Sequence, residues 1–407
     1  MAVGLKGLNV LLGVTGGIAA YKALELLRLL VKEGARVFTI MTRAATEFVG
    51  PLSFQALSGQ AVRTEMFSPS QEGQIQHITL ADMAQVAVVA PATANILAKM
   101  AHGLADDLLS TTLLAVRCPV VVCPAMNVNM YHHPATQGNL RILMERGVWI
   151  VEPEEGELAC GWEGKGRLAE PDSILETLKC AVSPQDLLGE HVLVTAGPTF
   201  EALDPVRFLG NRSSGKMGYA IARVARRRGA EVTLVSGPVA LKPPRGVNLV
   251  SVESAAQMRD AVMAHLDRAT VVIKAAAVAD YMPKEAQPEK IKKSRGPWSL
   301  SLVSTPDILA EVGSKKGSRV LVGFAAETSR LIHQAREKLE RKNLDWIVAN
   351  DVTKAGSGFG ADTNQVTILG RDGSVEELPQ MSKEDVAWAV LDRVLRSRGR
   401  GSGGEGQ

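Results

Sequence analysis

Chemistry in this sequence concentrates in glycine-rich turns and amide-bearing loops that follow apolar runs. Gly13-Val-Thr-Gly-Gly17 separates the run Leu8 to Val14 from Ile18 to Lys32, where apolar residues recur at helical spacing. Glycines at such a turn let the backbone approach a phosphate, and the unpaired N–H groups of the helix behind it can hold one. The spacing is not G-x-G-x-x-G, so a mononucleotide such as FMN suits the loop better than a nicotinamide dinucleotide, and a tight turn without ligand is the other reading. Pro91-Ala-Thr-Ala-Asn95 follows a second apolar run and would suit a flat ring, or else merely cap a helix through Thr93 or Asn95. Pro124-Ala-Met-Asn-Val-Asn-Met-Tyr131 follows a third such run, and the two amide-rich loops together favour a site. His77 has the side chain whose ordinary pKa of ~6.5 best suits a general base, although a lone histidine is as readily structural. Cys160 lies in Ala159-Cys-Gly-Trp-Glu-Gly-Lys-Gly-Arg167, a segment too rich in glycine for a helix, which reads as a mobile flap. Its thiol could serve as a proton donor or be incidental.

Gly210-Asn-Arg-Ser-Ser-Gly-Lys216 fits G-x-x-x-x-G-K, but Met217 stands where a P-loop needs Ser or Thr for magnesium. It reads as an amide- and hydroxyl-rich loop for a phosphate or acyl-phosphate. Ala275-Ala-Ala-Val-Ala-Asp-Tyr281 ends an apolar run with one carboxylate, Asp280, either a turn residue or a metal ligand beside phosphates. Lys290-Ile-Lys-Lys293 is a basic cluster or a solvated charge run, and Lys338 and Lys342, four apart, share one helix face. Clustered lysines opposite a carboxylate suit a metal-bound triphosphate.

The elements that must position these groups alternate. Strand, glycine turn, helix and a second strand at Arg36 to Thr42 make a βαβ unit. Further strands at Gln85 to Ala90, Pro119 to Cys123 and Val148 to Val151 imply a parallel sheet covered on both faces. The pattern breaks near Cys180-Ala-Val-Ser-Pro184 and restarts at His191, with strands expected at Asn248 to Val252, Thr270 to Lys274, Arg319 to Phe324 and Asp345 to Ala349. Lys32-Glu-Gly-Ala-Arg-Val37 and Arg228-Gly-Ala-Glu-Val232 echo each other. The expectation is an α/β chain of two Rossmann-like domains, 1–185 and 190–396, with a disordered tail at 397–407.

Composition excludes several classes. At ~100–200 residues per domain, 407 residues predict two or three domains. The formal charge of +3 lacks the excess of a nucleic-acid binder, and 4% aromatics weaken a stacking platform, so no nucleic acid is expected. No run reaches the ~18 apolar residues of a membrane span, and residues 1–6 lack a signal-peptide layout, so a cytoplasmic protein with no membrane partner is expected. Four cysteines form no C-x-x-C pair, leaving little support for a disulfide framework or zinc site. An NAD-dependent oxidoreductase would want G-x-G-x-x-G and an acidic residue ending the second strand, where Thr42-Arg43 stands.

Gly-Val-Thr-Gly-Gly-Ile-Ala-Ala-Tyr-Lys22, Pro-Ala-Thr-Ala-Asn95, Ala-Asp-Asp-Leu-Leu-Ser110, Pro-Ala-Met-Asn-x-x-Met130 and Ala-Cys-Gly161 resemble the flavin-dependent cysteine decarboxylases, whose domain is flavodoxin-like. From His191 onward the chain is similar to phosphopantothenate-cysteine ligases. The order matches the bifunctional bacterial coenzyme A flavoproteins, in which a phosphopantothenoylcysteine decarboxylase is fused to such a ligase. Tyr131 departs from the pattern, many members carrying Trp there, and only altered packing is expected.

The resemblance implies FMN held by Gly13, Thr15, Gly16, Gly17, Thr42, Thr93, Asn95, Ser110 and Met126. It gives His77 the role of base, Asn127 the substrate carboxylate and Cys160 the acid of the final reduction. Oxidation of the substrate thiol to a thioaldehyde supplies the electron sink that loss of CO2 needs. For the ligase, the resemblance implies a CTP site of Lys274, Ala275, Ala276, Asp280, Lys290, Thr305, Pro306, Asp307, Ile308, Phe324, Lys338 and Lys342. Asn211 would contact the acyl-cytidylate, and Asp280 would hold Mg2+. The implied substrates are CTP, 4'-phosphopantothenate and L-cysteine, and the implied homo-oligomer is trimeric through the first domain and dimeric through the second. An FMN-binding regulatory subunit without turnover is the rival reading, and retention of His77, Asn127 and Cys160 argues against it.

Overall fold

A computed structural model describes residues 4–67, 75–158, 161–292, 298–327, 331–351 and 360–399. The chain divides between Ser183 and Pro184 into two compact units.

In the first unit β1 (Asn9–Val14) leads through the glycine turn into a single 3-10 turn, Ile18–Tyr21, and then α1 (Lys22–Lys32). After β2 (Arg36–Met41) come α2 (Arg43–Thr46), α3 (Pro51–Ser58) and α4 (Gln76–Met83). Then follow β3 (Val86–Ala92), α5 (Ala94–His102), α6 (Leu108–Ala115), β4 (Val120–Pro124), α7 (Val128–His132), α8 (Pro134–Glu145) and β5 (Trp149–Ile150). A hairpin of β6 (Glu154–Glu157) and β7 (Glu163–Arg167) precedes α9 (Pro171–Val182).

The five main strands are all parallel, in the order β2-β1-β3-β4-β5. Every residue of β3 is buried, as a strand covered on both faces must be. One core face gathers Leu12, Leu26, Leu27 and Leu30 with Val88 and Leu178; the other gathers Leu11, Val89, Ile96 and Leu109. This is the flavodoxin-like order, in which the strand sequence reverses between β1 and β3 and ligands bind beyond the carboxyl ends at that reversal.

The second unit begins with β8 (His191–Ala196), a hairpin of β9 (Phe200–Ala202) and β10 (Phe208–Gly210), and α10 (Lys216–Arg227). It continues with β11 (Glu231–Ser236), β12 (Asn248–Ser251), α11 (Ala255–Leu266), β13 (Val271–Lys274), and the pair β14 (Tyr281–Pro283) and β15 (Leu302–Ser304). Next are α12 (Ile308–Ser314), β16 (Val320–Glu327), α13 (Leu331–Arg341) and β17 (Trp346–Asp351). The last elements are β18 (Thr363–Asn364), β19 (Val366–Gly370), β20 (Val375–Glu377), β21 (Met381–Ser382) and α14 (Lys383–Ser397).

Its main sheet runs β12-β11-β8-β13-β16-β17-β19-β20. The first six strands are parallel in the dinucleotide-fold order, reversing between β8 and β13; β19 and β20 extend it antiparallel. The expected α/β class of two Rossmann-like domains is met, with an antiparallel edge added. Helix-to-strand contact behind the reversal is close enough to require glycine, since a Cβ at Gly218 would stand 2.5 Å from Ala196 Cβ. Ser397 closes α14; of the tail, residues 400–407 lie outside the described residues.

Arg228 anchors the start of this unit. Its buried guanidinium pairs with Asp186 and Asp392, both at 2.7 Å, and lies 4.7 Å from the Trp388 ring centroid. The entering segment is thereby tied to α14.

Candidate active sites

In the first unit three of the loops meet at the reversal. Thr15 is buried, and its Oγ1 donates to the Pro91 carbonyl at 2.7 Å while accepting from the Thr93 N–H at 3.1 Å. The hydroxyl thus ties the end of β1 to the end of β3. Thr93 caps α5 by accepting from Ile96 N–H at 3.5 Å, which leaves Asn95 exposed on the first turn. Ala125 N–H donates to Ala92 O at 3.1 Å, so the loop after β4 continues alongside. Thr42 caps α2 at the end of β2.

The glycines divide by purpose. A Cβ at Gly13 would stand 2.6 Å from Leu109 Cδ1, and one at Gly16 would stand 2.4 Å from Ala44 Cβ, so both are required by packing. At Gly17 it would meet only Thr93 Cγ2, at 3.8 Å. That turn is open, leaving room beside the start of the 3-10 turn where backbone N–H groups could meet a phosphate. Ser110 is buried and engaged in a capping box with Asp107, whose carboxylate is held below its usual range by Lys99 and Ser110 against the cost of burial.

Asn127 caps α7, its Oδ1 accepting from Asn129 N–H at 2.9 Å. The loop carrying it is fastened to the β6–β7 hairpin: Met126 N–H donates to Gly166 O at 3.0 Å, and a Cβ at Gly166 would stand 2.3 Å from Met126 O. The segment read as a flap is therefore a hairpin stem with Gly156 opposite Gly164, both at positive φ. Its tip closes through Leu158 N–H to Trp162 O at 2.7 Å. Cys160 itself lies outside the described residues. Tyr131 is buried, with Lys165 5.7 Å from its ring centroid and His132 edge-on at 5.3 Å. His77 sits half-buried at the start of α4.

In the second unit a cavity of about 1040 Å3 opens at the reversal between β8 and β13. The ends of these strands keep pairing beyond the sheet: Ala277 N–H donates to Gly197 O at 2.9 Å and Thr199 N–H to Ala277 O at 3.3 Å. Asn211 bridges onto the same segment, its Nδ2 donating to Ala277 O at 3.2 Å and Val278 O at 3.0 Å. Thr305 Oγ1 donates to Ala279 O at 2.5 Å, and its N–H to Asp280 O at 3.0 Å, fixing Thr305-Pro306-Asp307 beside Ala275 and Ala276.

Asp307 caps α12 and pairs with Lys342; these contacts hold its carboxyl low against burial. Lys338 donates to Phe324 O at 3.2 Å, and Lys342 N–H donates to Lys338 O, so both lysines do share one face. Asn211, Lys274, Ala275, Ala276, Asp280, Thr305, Pro306, Asp307, Ile308, Phe324, Lys338 and Lys342 all line this one cavity. Lys290 is exposed and does not; it stands on a loop fastened at Ile291, whose N–H donates to Asp204 at 3.1 Å.

Lys216 pairs with Asp362 at 2.6 Å rather than pointing along a P-loop. Arg341, Asn350 and Lys383 also line the cavity and escaped the sequence reading. Asn350 had a usable signal, an amide at the carboxyl end of a buried strand. No group of three or more His, Cys, Asp or Glu side chains able to hold a metal occurs among the described residues. Asp280 alone therefore fits only a cation shared with phosphates.

Residues 3–183 match the Flavoprotein family, and residues 187–397 match the DNA/pantothenate metabolism flavoprotein C-terminal domain. The chain is 52% identical to the coenzyme A biosynthesis bifunctional protein CoaBC of Bacillus subtilis over 96% of its own length and 97% of that protein. The chain belongs to that family. The CoaBC of Vibrio cholerae is 48% identical over 96% of this chain and 98% of that one. Among solved structures, the C-terminal domain of a CoaBC is 46% identical, with a TM-score of 0.47 over 53% of this chain and 98% of that chain. The chain is thus an enzyme of coenzyme A biosynthesis uniting a decarboxylase and a ligase. No helix among the described residues is long and apolar enough to cross a membrane.

Proposed function

We propose that the second unit joins 4'-phosphopantothenate to L-cysteine at the expense of CTP and that the first decarboxylates the product to 4'-phosphopantetheine, with FMN as its cofactor. The observation that carries the ligase half is the cavity that gathers Asn211, Asp307 and five lysines, Lys274, Lys338 and Lys342 among them, where the strand order reverses. A carboxylate is a poor electrophile. Its oxygen attacks the α-phosphate of CTP, the bond to the β-phosphate breaks, and pyrophosphate leaves. Cysteine nitrogen then attacks the acyl carbon, expelling CMP and losing a proton. Positive charge from Lys274, Lys338 and Lys342 stabilises the departing pyrophosphate, and Mg2+ would sit between Asp280 and the phosphates. Asn211, anchored on the Ala277 and Val278 carbonyls, orients the mixed anhydride. Lys290 stands outside the cavity, so its role here rests on the family resemblance.

In the first unit the match to the Flavoprotein family and the open turn at Gly17 support FMN beyond β1 and β3, within reach of Thr42, Thr93, Asn95 and Met126. FMN held there would supply reversible two-electron chemistry at the substrate thiol. His77 accepts the thiol proton, Asn127 binds the carboxylate that departs as CO2, and Cys160 protonates the carbon at the final reduction. Exposed apolar side chains, Ile18, Leu52 and Leu114 on the first unit and Val206 and Phe208 on the second, suit a trimer and a dimer contact respectively.

The test is pyrophosphate release from CTP, Mg2+ and 4'-phosphopantothenate without cysteine. Release of about one equivalent supports the acyl-cytidylate route, and none refutes it.

A further inference from the structure

Lys274 ends β13, beside the reversal, and its Nζ is buried with no hydrogen-bond partner among the described residues. Burial is the main force holding its pKa down, to about 7; Lys338 adds to this and Asp307 opposes it. Asp307 is already engaged by Lys342 and by the Ala310 N–H. Arg341 and Asp280 line the same cavity, as do Lys216 and Lys383, the former paired with Asp362. No histidine is among the described residues that line it. Among the described residues the cavity therefore has one buried amine with no hydrogen-bond partner, since Lys383, also buried, donates to the Ala361 carbonyl. An unpartnered buried ammonium is costly, so burial favours the neutral amine while the cavity holds no anion.

Resting on the reading above, we propose that Lys274 is a triphosphate ligand that takes up a proton as the nucleotide binds, so that filling the cavity and charging this amine are one coupled event. A polyanion beside the amine favours its charged form, so the bound complex holds more protons than the empty cavity. By linkage, affinity for CTP falls as pH rises above the amine's resting range, by up to about tenfold per pH unit until the bound-state range is reached. Nucleotide phosphates themselves finish ionising near pH ~6, so they contribute little above pH 8.

Calorimetric titration of the whole chain with CTP and Mg2+ at pH 8, without phosphopantothenate or cysteine, reads this directly in two buffers of different ionisation enthalpy. The expected result is a buffer-dependent heat equal to uptake of a large fraction of one proton. Lys274→Met should bind more weakly without that uptake, and Lys274→Arg, always charged, should bind without uptake and with a pH-independent affinity. Binding by the unaltered chain with equal heats in both buffers overturns the proposal. So does uptake that persists in Lys274→Met, which would move the proton to another amine such as Lys383. No binding of CTP at all would instead refute the nucleotide reading of the cavity, and this proposal with it.

Discussion

Met126 and Gly166 are held backbone to backbone, N–H to carbonyl at 3.0 Å, so closely that Gly166 has no room for a Cβ. This contact fastens the hairpin of Glu154–Glu157 and Glu163–Arg167 to the loop that carries Asn127. Gly166→Ala must push the two apart. Because a misplacement of about 1 Å can cost ~100-fold in rate, decarboxylation should fall by that order while ligation, housed in the other unit, stays unchanged. Separate assays of the two steps check it; equal loss of both would show general destabilisation instead.

Cys160→Ser should separate the two stages of decarboxylation. A hydroxyl is a far weaker acid than a thiol of pKa ~8.5, so CO2 should appear in about one equivalent per site while phosphopantetheine does not. Single-turnover mass analysis distinguishes this from full turnover, which would remove Cys160 from the mechanism.

The half-buried ion pairs of Glu384 in the second unit predict its acid sensitivity. Burial would raise the Glu384 carboxyl, but Arg227 and Arg223 overcome that and hold it at about 2. A carboxyl depressed on folding stabilises the native state above its unfolded pKa, near 4.5, and loses that contribution as pH falls towards 2. Glu384→Gln should therefore lower stability at pH 7, by about 1–3 kcal/mol for the lost charged hydrogen bonds, and flatten the fall in Tm between pH 4.5 and 2. Thermal melts across that range decide it, and parallel curves would count against the pairing.

The order of strands was largely legible, because Val10 to Val14 and Val86 to Ala90 are buried on both faces and so read as unbroken apolar runs. The hairpin around Cys160 was not read as strands, since glutamates and glycines at Glu154 to Arg167 carry no apolar alternation; its glycines serve positive φ and close contact. Of the antiparallel strands that were missed, Val375–Glu377 is wholly exposed and shows no apolar alternation, whereas Val366–Gly370 is wholly buried and nothing in its pattern accounts for the omission. Within the sites, Ala275 to Asp280 and Thr305 to Ile308 could be found from their place after apolar runs. Lys383 could not, because its position depends on Ala361, 22 residues away along the chain. Nor does a lysine at a strand end announce burial, since such side chains ordinarily reach water.

One incubation tests the central claim most directly: the whole chain with 4'-phosphopantothenate, L-cysteine, CTP and Mg2+, followed by mass analysis of every product. The account predicts 4'-phosphopantetheine, with CMP, pyrophosphate and CO2 in equal amounts, and no product when CTP is omitted. Recovery of unchanged 4'-phosphopantothenate from FMN-loaded protein would contradict it.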